Sequence, residues 1–116
     1  MGILERASEW LEFQRLNNLS VLAVYIRRGG EKIQINTTLG KTLFRAENQY
    51  GETIRIESRD FLVSAKELTS DPERGDSILY NGKRYEVLAP NNEPVWRWSG
   101  PNQHTRRIHT KEMGVI

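Results

Sequence analysis

The sequence contains no cysteine, which excludes disulfides and thiolate metal sites and removes the staple on which small secreted domains usually depend. A reducing, cytosolic environment fits that absence. Long apolar runs are also missing, and Glu5, Glu9 and Glu12 interrupt the N-terminal region. Neither a signal peptide nor a membrane span is expected, and no membrane partner. No charge sign dominates: 17 basic and 15 acidic residues leave a net charge of +2. That is too little to imply nucleic-acid binding by itself, although a pI near 9.1 leaves it open. Apolar residues make up only 37% of the chain, so a sizeable share should lie in exposed loops or an interface.

What is present fits one domain. A chain of 116 residues can bury about two thirds of the surface its unfolded form exposes. Residues 2–16 read as a helix, because Ile3, Leu4, Ala7, Trp10 and Leu11 recur at three- and four-residue spacing and form one apolar stripe. Asn17 and Asn18 stop it. Phe13 and Leu16 lie off the stripe, and serve either further contact within the domain or docking of a second subunit.

From Ser20 the period becomes two. Leu22, Val24 and Ile26 alternate with Val21, Ala23 and Tyr25, a strand expected to be covered on both faces. Arg27, Arg28, Gly29, Gly30 and Glu31 supply a turn, and Ile33, Ile35 and Thr37 then alternate with polar neighbours to complete a hairpin. Leu39-Gly40-Lys41 is expected to turn the chain again into a weak segment over 42–46. In residues 52–61, Ile54 and Ile56 are expected to face inward. Ser64 and Glu67 have the spacing of a capping box on a short helical turn. A Pro-Glu-Arg-Gly-Asp turn at 72–76 follows, in which Asp76 holds the turn shape. Asn81-Gly82 marks the clearest hairpin, and strands over 95–99 and 105–110 complete the set.

About seven short strands behind one helix predict a mainly β fold, a small antiparallel β-barrel or sandwich with one N-terminal α-helix. The expected organisation is one domain over 1–116: a helix over 1–18, the barrel over 20–111 and a tail over 112–116.

Catalytic chemistry finds no foothold. His104 and His109, the only two histidines, fall on opposite faces of a strand and make poor co-ligands. There is no nucleophile elbow, no phosphate loop, and the acids Asp60, Asp71, Glu73 and Asp76 sit beside Arg59 and Arg74, which suits local ion pairing. No enzyme, metal or cofactor is expected. Trp96 and Trp98 share a strand face, with Arg97 opposed. Interleaved with Arg106, Arg107 and Lys111, they suit a core, a subunit interface or a stacking platform for single-stranded nucleic acid.

The order of Ser58-Arg59-Asp60-Phe61-Leu62-Val63, Pro72-Glu73-Arg74-Gly75-Asp76, Tyr85-Glu86-Val87, Trp96-Arg97-Trp98 and Arg107-Ile108-His109-Thr110-Lys111 resembles the head-tail joining proteins of tailed bacteriophages and prophages, also called head-completion or stopper proteins. Val24-Tyr25-Ile26-Arg27-Arg28-Gly29-Gly30 and Leu39-Gly40-Lys41-Thr42 carry the resemblance back to about residue 20. It implies a β-barrel subunit of a ring between capsid and tail, in the virion and, during assembly, in the host bacterial cytoplasm. The partners it implies are portal or connector and tail proteins, with a monomer as the alternative free state and non-specific DNA contact through phosphates. Residues 27–31, 44–51 and 90–93 become docking loops. The interface residues are Phe13, Leu16, Arg27, Arg28, Trp96, Arg97, Trp98, Arg106, Arg107, His109 and Lys111. A barrel that binds single-stranded nucleic acid is the alternative.

Overall fold

The computed structural model describes residues 20–101 and 103–115. The helix expected over 2–16, with Phe13 and Leu16, lies outside the described residues. Seven strands follow in order: β1 (Val21–Ile26), β2 (Lys32–Glu47), β3 (Thr53–Ser64), β4 (Ser77–Tyr80), β5 (Lys83–Val87), β6 (Trp96–Trp98) and β7 (Thr105–Val115). They form one antiparallel sheet in the order β3-β2-β1-β4-β5-β7-β6, and a further β3–β7 pairing closes it into a near-barrel ring. Among the described residues there is no α-helix, only a 3-10 turn at Pro90–Asn92.

Local chemistry sets the ring's corners. The β1–β2 turn closes where the Gly30 N–H donates to the Arg27 carbonyl at 2.8 Å, with Gly30 at φ 99°. Asn81 (φ 53°) and Gly82 (φ 76°) occupy the left-handed positions of the β4–β5 hairpin, the conformation that Asn-Gly adopts most readily. Residues opposed across a pair of strands share a face. Ala23 opposes Ile35, Tyr25 opposes Ile78, and Phe61 opposes Ile108. All six are buried and belong to one core with Val63, Leu68, Tyr85 and Val87. Leu68, just beyond the end of β3, caps the ring there. Its core makes the closed sheet worth forming, since apolar area removed from water is the main favourable term.

β2 and β3 outrun the ring. β2 pairs with β1 only over Lys32 to Thr37, and β3 pairs with β7 only from Arg59 to Ser64. Over 42–58 the two strands pair with each other alone and project as a two-stranded arm. Six residues of strand span about 20 Å, which accounts for the long axis of 55 Å against 33 and 23 Å.

Several expectations are corrected. Leu39-Gly40-Lys41 is no turn: β2 runs straight through it, because Gly40 is needed for room. A Cβ there would lie 3.1 Å from the Arg107 guanidinium and 3.2 Å from Leu62. Ser64 does cap the Lys66 N–H at 3.2 Å, but Glu67 bonds the Asn36 amide instead of closing a capping box, and residues 65–67 form a turn rather than a helix. Ile54 and Ile56 share the face of Ala46 and Phe44, which they oppose, but they are not covered as expected and stay 39% and 37% exposed. β7 continues to Val115, taking in residues expected as a tail. Among the described residues the outer face of β1 is open, with Leu22 61% exposed.

Candidate functional site

Three buried polar knots stiffen the ring, and the arm projects from it. The first knot is Asp76, whose carboxylate accepts bonds from the Tyr25 hydroxyl at 2.5 Å, the Arg28 N–H at 3.0 Å and the Glu73 N–H at 3.0 Å. Arg27 adds a contact at 3.5 Å and lies 5.0 Å over the Tyr25 ring. Its other donors reach Ser70 and the Asp71 carbonyl. Burial, reinforced by the Asp76 hydrogen bond and charge, pushes the Tyr25 phenol far above its ordinary range. Tyr25 therefore stays a neutral donor above the pH at which a free tyrosine ionises, and Asp76 is the turn-former that the sequence suggests.

The second knot lies on the outer side of the β3–β7 seam. Asp60 accepts from His109 Nδ1 at 2.9 Å, Arg107 at 2.8 Å, Ser58 at 2.5 Å and Thr42. Burial alone would raise its carboxyl, but these four donors outweigh it and hold the group well below the usual carboxylate range. His109 packs edge-on against Phe44, with ring centroids 5.0 Å apart, and its Nε2 is buried without a hydrogen-bond partner among the described residues. The carboxylate is saturated and the pair is shut away from solvent. A base needs an unused lone pair within reach of a proton, and Asp60 offers none.

The third knot closes the end of the ring near Leu68. The Arg106 guanidinium sits 4.9 Å from the Trp96 ring and 5.0 Å from that of Trp98, and the two indoles meet edge to face at 4.9 Å. Arg106 also donates to the Leu68 carbonyl and to Asp71 at 3.1 Å. Each indole therefore gives a face to an arginine of its own chain, which leaves a poor stacking platform for bases.

The arm carries four of the seven exposed large apolar side chains among the described residues. Asn48 shapes its tip by accepting from the Tyr50 and Glu52 N–H groups at 2.9 and 3.0 Å, which leaves Tyr50 77% exposed. Leu43 is exposed on one face of the arm and Ile54 and Ile56 on the other, the face on which Phe44 and Ala46 are buried. The loop after β5 braces the arm, where Asn91 donates to the Arg45 carbonyl at 3.3 Å. At the arm's root Lys41, Arg59, Lys83 and Lys111 surround a polar groove of about 270 Å³ with Glu57 and Glu112. Lys41 pairs with Glu57 at 3.4 Å and Lys83 with Glu112 at 2.9 Å. Such exposed pairs contribute little to stability.

The residues singled out from sequence thus separate into two sets. Trp96, Trp98, Arg106, Arg107 and His109 are brought together around the β7 strand, and Arg27 around Asp76, all with internal partners. Arg28, Arg97 and Lys111 are exposed. On the arm, Tyr50 lies within the expected docking loop 44–51, whereas Leu43, in the segment expected to be weak, was not singled out. Among the described residues no group of three or more His, Asp or Glu is placed to hold a metal ion.

A family model for the phage head-tail joining protein matches residues 1–116. A search of curated proteins finds no match to the chain.

Proposed function

We propose, from the premise that the chain belongs to the phage head-tail joining protein family, that it is one subunit of a ring seated between the portal and the tail. Membership makes it a structural joining component of the virion and not an enzyme. The ring, the named partners and the contact residues are the proposal.

The observation that carries it is the arm over residues 42–58, whose two strands pair only with each other and which exposes Leu43 near its root and Tyr50 at its tip. A monomer gains nothing from such a surface, whereas an assembly subunit reaches a neighbour with it. An extended arm on one side and a rigid ring of strands on the other are unlike surfaces. Contacts between unlike surfaces are head-to-tail, and they close into rings when the rotation allows. The free state in this reading is a monomer that associates on the portal, in the host cytoplasm. Arg28, Arg97 and Lys111 supply rim contacts. Trp96, Trp98, Arg106, Arg107 and His109 act indirectly by fixing the strands from which those contacts project. Lys111 and Arg59 would meet any enclosed DNA through phosphates, without sequence preference.

The test is reconstitution of tail attachment with the purified chain and tailless, DNA-filled heads. The wild-type chain should restore joining and a chain with Leu43→Asp and Tyr50→Ser should not, at equal fold content by circular dichroism. Equal joining by both would remove the arm from the proposal.

A further inference from the structure

The groove at the arm's root holds more positive charge than its own carboxylates neutralise. Lys41, Arg59, Lys83 and Lys111 line it against Glu57 and Glu112. Lys41 takes Glu57 at 3.4 Å and Lys83 takes Glu112 at 2.9 Å, which leaves Arg59 and Lys111 without an ion-pair partner among the described residues. Register puts these two together. Arg59 and Thr110 form the outermost pair of the β3–β7 seam. From there β3 follows β2 along the arm and β7 follows β5 toward Val115, so the groove lies in the fork between them.

The opposite charge sits at the far end of the arm. Glu47 and Glu52 flank the turn that Asn48 shapes, both exposed, and neither has an ion-pair partner among the described residues. Arg45 and Arg55, opposed to each other two pairs back toward the root, pair with neither. Between the glutamates Tyr50 stands 77% exposed. A chain cannot bring this tip to its own groove: β2 runs unbroken from Lys32 to Glu47, and the six strand residues from Lys41 to Glu47 span about 20 Å.

We infer that the groove receives the arm tip of a second copy of this chain, whose Glu47 and Glu52 meet Arg59 and Lys111. The inference rests on the ring reading above and names the surface on which the arm lands. Two unpaired carboxylates answer two unpaired cations, and charge-assisted hydrogen bonds between them fix the register of the contact. Tyr50, carried in with the tip, lies against the Arg59 guanidinium and the alkyl stems of the lysines. A groove of about 270 Å³ takes side chains of this kind and not a folded element. Tip and groove are unlike surfaces, so the contact is head-to-tail, as a ring requires. A phosphate backbone would use the same two cations but would leave Glu47, Glu52 and Tyr50 without a partner.

Charge exchange between full-length chains tests this. One variant carries E47K and E52K, the other R59E and K111E, and circular dichroism checks that both keep the fold. Either alone should cap portals about tenfold less well than wild type, because like charges then face each other at each contact. A 1:1 mixture of the two should restore capping, since reversed tips then meet reversed grooves. A mixture no better than its parts, with wild type still capping, overturns the inference and leaves the ring standing. Capping by the R59E, K111E chain equal to wild type, with weaker binding to double-stranded DNA, would show that the groove takes phosphates and overturns it too. A second readout needs no portal, because the chain has no cysteine. A chain with Q49C mixed with one carrying E112C and treated with a short bismaleimide should give mixed dimers in excess of either homodimer. Mixed dimers without capping by wild type would count against the ring alone, whereas homodimers only, or no crosslink, would overturn the inference.

Discussion

His109 Nδ1 donates to Asp60 Oδ1 at 2.9 Å across the β3–β7 pairing that closes the ring, and neither side chain touches solvent. The same carboxylate holds Arg107 at 2.8 Å, so one buried charge ties two residues of β7 to β3. Phe44 rests on the histidine, and the root of the arm is thereby fixed to the seam.

Asp60→Asn removes the charge that these donors were built around. Loss of one partner from a buried pair should cost about 3 kcal/mol, read as a lower urea midpoint at pH 7 with an unchanged slope. The pH profile supplies the sign. The carboxyl is held below its usual range when folded, so its contribution is present above the unfolded pKa of about 4 and is lost as pH falls toward the folded value. Wild-type stability should fall steeply between pH 5 and pH 2 on this scale, while Asp60→Asn should start lower and fall less over roughly that window.

Tyr25→Phe tests the Asp76 knot from the alkaline side. Burial and Asp76 raise the phenol's pKa in the folded chain, so only the unfolded chain releases that proton once pH passes about 10, and stability declines there. The variant should lose about 1 kcal/mol at neutral pH for the missing hydrogen bond and show a shallower alkaline decline. Chemical denaturation at pH 8 and pH 11 separates the two effects.

Arg106→Lys keeps the charge but not the flat guanidinium that lies against Trp96 and Trp98 while bonding Leu68 and Asp71. A lysine ammonium cannot meet those partners together. Stability should drop by about 2 kcal/mol, with a red shift of tryptophan emission as the two indoles gain water. Emission and midpoint identical to wild type would remove the clamp.

Leu43→Asp and Tyr50→Ser touch only exposed positions. Each should leave the unfolding midpoint within about 0.5 kcal/mol of wild type while tail attachment fails. A large stability loss would show the arm to be part of the fold rather than a contact surface.

Much of the ring was legible in the sequence because its signals are local. The period-two alternation in β1, the Asn81-Gly82 hairpin and the Asp76 turn each depend on neighbours within a few residues. Of the arm, the tip turn and the strand over 52–61 were legible but the projection beyond the ring was not, because its burial depends on distant chain. In β2 the buried positions are Ile35 and Thr37 within the ring and then Phe44 and Ala46 on the arm, a change of face across Gly40 that reads locally as a break. It is instead the point where cover passes from the ring's interior to His109 and the loop after β5. Gly40 looked like a turn because glycine usually is one, yet here it makes room for Arg107. His109 and Arg106 read as interface residues, since their partners Asp60 and Leu68 lie 49 and 38 positions away.

In the proposed assembly, copies of this chain close into a ring through unlike surfaces, one of them the arm. Mass photometry of purified portal mixed with the chain, followed by electron microscopy of the complex, measures that directly. The predicted result is a portal capped by a closed ring of several copies for the wild type and a bare portal for the Leu43→Asp, Tyr50→Ser chain. Binding of single copies without ring closure, or equal capping by both chains, would contradict it.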